Sequence, residues 1–165
     1  MKAHLAIGLF ALLFGSKAPA ATLEVLPLSA AQSQEILEQA NAGAALLRKY
    51  IGSGPGYAPE QIDSAIVAWS TASSGKEPTD LVIERLGAYF GDYLAQKLDL
   101  EWKVYRDNRG SDLCVIHKKV WVFSFPHSTI YKAVVQGRQG ALAEVEATLA
   151  KQINEGLRDP SIQSR

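Results

Sequence analysis

Four side chains in two stretches have the types that group-transfer chemistry uses. The run Phe125-Pro126-His127-Ser128, with Lys132 downstream, places a histidine, a serine and a lysine within six residues of one another. They follow a predicted strand end, a place where functional groups are often displayed. Asp92, next to Tyr93, follows Gly91 on a predicted helix. His127, Ser128 and Asp92 together outline a small hydrolase or transferase, because a hydroxyl nucleophile needs a base beside it. The same residues also have a structural reading. A serine after Pro-His suits a helix N-cap, Lys132 can point to water, and Asp92 can form an ion pair with His127 or Lys132.

Other chemistries find less support. Beyond residue 20 there are two histidines, His117 and His127, and neither an HExxH nor a CxxC motif, so no metal site is expected. Gly52-Ser53-Gly54 lacks the GxSxG spacing of a nucleophile elbow and follows a helix. A P-loop and a dinucleotide fingerprint are absent, and no cofactor is expected. Asp99 and Glu101 flank one another on an alternating stretch, which makes them a solvated face. Cys114 lies in Leu113-Cys114-Val115-Ile116 and reads as a small buried hydrophobe with an inert thiol.

The elements that carry these residues fall in the order helices, strands, helix. Ser29-Ala30-Ala31-Gln32 matches a capping box, and Ile36, Ala40, Ala44, Leu47 and Ile51 form one helix face behind it. Gly52 ends that helix. Pro59 suits the first position of a second helix with the stripe Ile62, Ile66, Trp69. Pro78 and Asp80 open a third, along which Val82, Leu86, Phe90 and Leu94 recur every four residues. Gly87 and Gly91, one turn apart, each cost up to ~1 kcal/mol against alanine. They predict the close approach of another backbone, or a kink at a site. From Leu100 the period shortens to two. Strands are expected on either side of the turn Asp107-Asn108-Arg109-Gly110, with a third over Val120 to Phe125 that Pro126 ends. Both faces of the later strands are apolar, so one face meets the helices and the other a further element or a second subunit. Residues 127–136 suit a strand or a helix, and a helical turn is preferred. Leu142, Val145, Leu149 and Ile153 make a final amphipathic helix. The expected fold is α+β: an antiparallel meander of three or more strands packed against about four helices.

Lys2, the apolar run Leu5 to Phe14 and the small residues Ala18 and Ala20 lay out a secretory signal peptide over residues 1–20, cleaved near Ala20. Its apolar run is shorter than the roughly 20 residues a membrane span takes. Cleavage removes two lysines and no acid, leaving 15 basic against 17 acidic side chains, a net charge of −2. Residues 21–165 are then expected as one domain in the periplasm or outside the cell, without a stable membrane anchor. The full chain has 17 basic and 17 acidic side chains, so a nucleic-acid partner is not expected. Trp102, Trp121, Phe123 and Phe125 make an aromatic-rich sheet that could present a face to another protein or to a second copy.

Leu86-Gly87-Ala88-Tyr89-Phe90-Gly91, Glu101-Trp102 and Phe125-Pro126-His127-Ser128 with Lys132 resemble a bacterial domain-of-unknown-function family. Its pattern is LGxYFG…EW…FPxS…K, and the resemblance covers about residues 80–135. It implies a small α+β protein and brings no catalytic residues with it. Some short bacterial proteins of similar pattern look like immunity proteins against rival toxins. The expected function is therefore a non-catalytic protein-binding module, inhibitor- or immunity-like. The alternative is the hydrolase or transferase on His127, Ser128 and Asp92.

Overall fold

A computed structural model describes residues 23–54 and 56–159. The expected signal peptide, residues 1–20, lies outside them. Nine elements follow in order: β1 Glu24–Pro27, α1 Ala30–Ile51, α2 Pro59–Thr71, α3 Thr79–Leu98, β2 Leu100–Asp107, β3 Gly110–His117, β4 Phe123–Ser124, α4 Pro126–Gln136 and α5 Ala141–Arg158. The class is α+β, with five helices among the described residues and an antiparallel sheet in the order β1-β2-β3-β4. No helix among the described residues is long and apolar enough to cross a membrane.

The helix ends follow the sequence chemistry. The Ser29 hydroxyl accepts from the Gln32 amide, and the Gln32 side chain accepts from the Ser29 amide at 2.9 Å, closing the capping box. Pro59 occupies the first turn of α2. Val82, Leu86, Phe90 and Leu94 are all buried along α3, which is the centre of the helical layer. Helix α1 approaches α3 so closely that a Cβ on Gly43 would lie 2.3 Å from the Arg85 carbonyl oxygen.

Register fixes the two faces of the sheet. Trp102 pairs with Val115 and Val104 with Leu113, and these side chains face the helices with Leu100. Lys103 pairs with Cys114 and Tyr105 with Asp112, and these point the other way.

Four details differ from the sequence reading. The strand β1 was not anticipated; it pairs Leu26 with Val104 at the edge of the sheet. The third predicted strand is reduced to Phe123–Ser124 plus a bridge at Val120. The reason is a tight turn after β3, in which Nδ1 of buried His117 accepts from the amides of Lys119 and Val120, both at 3.2 Å. Residues 126–136 form the full helix α4 rather than a turn, started by Pro126 at a position where a missing N–H costs nothing. Ser128 is not its N-cap; Phe125 is, without a side-chain bond.

Candidate functional site

The two glycines of α3 are the floor of a constellation drawn from three elements. A Cβ on Gly91 would lie 2.0 Å from Cζ2 of Trp102 and 3.0 Å from Cγ of Pro126. One on Gly87 would lie 2.4 Å from Cδ2 of His127 and 3.0 Å from its Cα. What the glycines admit is thus chiefly two rings, the indole from β2 and the imidazole from α4, and only at His127 also a backbone. The rings themselves are 5.9 Å apart and inclined at 48°. Trp102 Nε1–H donates to Asp92 Oδ1 at 2.8 Å. Residues separated widely in the chain thereby meet along one face of α3.

This arrangement sets the charge states. His127 is half-buried, and burial holds its imidazole below the usual histidine range, while its ring donates to the main-chain carbonyl of Glu84. At neutral pH it is an uncharged imidazole. Burial likewise pushes the Asp92 carboxyl upward, against the opposing effect of the Trp102 hydrogen bond.

The candidate catalytic residues open onto different clefts. Ser128 lines one of about 340 Å³ with Tyr105, Asp107, Arg109 and Phe125. His127 lines another of about 200 Å³ with Glu35, Glu84 and Leu113. Asp92 lines a third, of about 610 Å³, between α1 and α3. Among the described residues no hydrogen bond joins any two of the three, and Asp92 makes no ion pair with His127 or Lys132. Lys132 is exposed on α4. No three His, Cys, Asp or Glu side chains among the described residues gather to hold a metal ion.

The aromatic candidates divide by sheet face. Trp102 faces the helices. Trp121, Phe123 and Phe125 gather on the opposite face, where Phe123 lies 5.9 Å from Trp121 and 5.6 Å from Phe125. Tyr105 completes this cluster at 5.3 Å from Phe125 and 5.6 Å from Phe123. Sequence reasoning missed Tyr105 because it shares its face of β2 with the charged Glu101 and Lys103; its alternation with Trp102 and Val104, which places it on the face away from theirs, was the available signal. Cys114 points to this face, away from the helices, and is wholly buried. Burial pushes its thiol up to about 11. Trp121 remains 41% exposed.

No curated protein matches the sequence. A crystal structure of a protein from Bacteroides thetaiotaomicron VPI-5482 is similar at 14% identity with a TM-score of 0.57. The likeness covers 76% of this chain and 46% of that one, so this chain spans less than half of its length, and at that identity the likeness speaks for the fold alone. Residues 64–145, which include both glycines of α3, Asp92, Trp102 and His127, match the family described as Domain of unknown function (DUF3806).

Proposed function

We propose that the protein is exported and acts as a non-catalytic binding module, inhibitor- or immunity-like, that docks another protein on the outer face of its sheet. The observation that carries this reading is the contiguous cluster of Tyr105, Trp121, Phe123 and Phe125 on the sheet face turned away from Leu100 and Trp102, with Trp121 exposed. Aromatic side chains bury much area at little entropic cost and dominate binding hot spots. On the same face, Glu101 and Lys103, paired at 3.0 Å, supply the beginning of a polar rim. The hydrolase or transferase reading needs His127, Ser128 and Asp92 to act on one substrate, and they line separate clefts.

The test uses the purified protein as bait in a periplasmic extract, beside Trp121→Asp. The expected result is one partner recovered repeatedly by the wild type and lost by the variant at an unchanged melting temperature. Undiminished capture by the variant, or recovery of nothing reproducible, rejects the reading. Light scattering on the free protein identifies a second copy as the occupant instead. Export is tested by mass spectrometry of the N-terminus, which should begin just after Ala20; intact chains confined to the cytoplasm reject it.

A further inference from the structure

The cleft between α1 and α3 lies on the helical side of the molecule, away from the aromatic sheet face, and has its own chemistry. The two helices approach closely at Gly43. Beside that point, Ala40 and Ala44 present only methyl groups and leave the space of about 610 Å³ unfilled. A volume of that order is typical of small-molecule sites. Tyr89 and Tyr93 of α3 form walls whose hydroxyls are already engaged: Tyr89 accepts from the Tyr57 amide at 3.1 Å, and Tyr93 donates to Glu146 at 2.9 Å. The rings are therefore held in place, Tyr89 also packing edge-to-face against Tyr57 at 6.1 Å and Tyr93 lying parallel to Phe90 at 6.4 Å, and the Tyr89 O–H is left to donate.

The polar groups in the lining are of a different kind. Asp92 is oriented by the Trp102 indole on one oxygen, and no other hydrogen bond to its carboxylate occurs among the described residues. The amides of Asn41 and Gln96 also make none there. None of the described lining residues is Lys, Arg or His, so an anion finds no counter-charge. A cation could use the carboxylate and the amide carbonyls but would bring no acceptor for the amide N–H groups. A sugar ring matches the whole set: its C–H face packs on an aromatic wall, and its hydroxyls both donate and accept, as amides do.

We propose that this cleft binds a short neutral saccharide, seated between Tyr89 and Tyr93 and the Ala40–Ala44 floor, with Asp92, Asn41 and Gln96 reading its hydroxyls. Asp92 is here a binding carboxylate, and the site does not depend on the sheet-face reading.

The experiment titrates the full chain with cellobiose, maltose and N,N′-diacetylchitobiose, and with spermidine as the cationic competitor, by calorimetry and by amide chemical shifts. At least one disaccharide should bind and shift amides in α1 and α3. Asp92→Asn keeps an acceptor for the indole but loses the charge, and should weaken binding about tenfold, the order expected of one charged hydrogen bond. Ala44→Leu, which fills the floor, should abolish binding with the melting temperature retained. Trp121→Asp should leave it unchanged, which separates this site from the sheet face. The proposal is overturned if millimolar disaccharide produces no shifts in α1 and α3, if spermidine binds in preference, or if binding survives Ala44→Leu.

Discussion

At Gly91 the local and the tertiary rules point in opposite directions, and the sign of one substitution decides between them. Helix propensity alone favours Gly91→Ala by up to ~1 kcal/mol. A methyl group there would sit 2.0 Å from the Trp102 indole, which is itself held by its hydrogen bond to Asp92 and lies against the His127 ring, and so cannot simply swing away. Overpacking of this kind costs about 1–3 kcal/mol, so Gly91→Ala should lower the melting temperature by several degrees. A rise in melting temperature would show that the indole moves freely. Asp92 gives a second prediction. Burial raises its folded pKa above the unfolded value, so stability is lost as pH rises through that interval. Asp92→Asn should therefore stabilise the protein at neutral pH in urea titrations, and the gain should vanish in acid, below both pKa values. Much of this constellation was visible beforehand as residue types: two glycines a turn apart, a tryptophan, a histidine after a proline. What the sequence could not supply was their meeting, because contacts between α3, β2 and α4 depend on the packing of three separate elements rather than on any local spacing.

Elements with strong periodicity or definite end chemistry were legible, and those defined by partners were not. The α3 stripe at steps of four, the Ser29 box and the Asp107–Gly110 turn all stand where their local chemistry puts them. Strand β1 has four residues and no alternation to betray it; it is a strand only because β2 offers an open edge. The shortening of the third strand likewise turns on one non-local choice, the imidazole of His117 folding back on its own turn. That ring accepts two amides on Nδ1, so it carries its proton on Nε2, and Val120 at the second amide is buried. His117→Ala leaves both donors unpaired at a cost of about 1–3 kcal/mol. The expected outcome is a lower melting temperature together with faster hydrogen exchange at Lys119 and Val120, while the amides of α3 keep their protection. His117→Asn, which retains an acceptor, should lose less. Equal loss in both variants would mean that the ring contributes by filling space and not by capping the turn.

Across the whole molecule His117, buried, and His127, half-buried, act in the same direction although they serve different parts of the fold. His117 secures the turn after β3, and His127 packs α4 onto α3. Burial depresses both imidazoles below the usual value of 6.5, against smaller opposing effects from Asp99 on His117 and from Asp112 on His127. The unfolded chain therefore takes up protons before the folded one does. Stability from these groups is complete above about pH 6.5, the unfolded value, and is lost as pH falls through the folded values. Asp92 and Asp63, whose carboxyls are pushed up mainly by burial, respond in the opposite sense. Their interval starts near the ordinary carboxylate range and so comes into play at lower pH. Chemical unfolding between pH 7.5 and pH 5 should consequently show declining stability. Replacing His127 by Gln, which stays neutral, should flatten that slope even if it lowers the stability at pH 7.5, and adding His117→Asn should flatten it further. Imidazole resonances followed by NMR should give midpoints below 6.5 for both rings. Midpoints at or above that value would mean that the rings stay hydrated in solution, and with that the close packing of His127 on Gly87, on which the meeting of α3, β2 and α4 depends, would be lost as well.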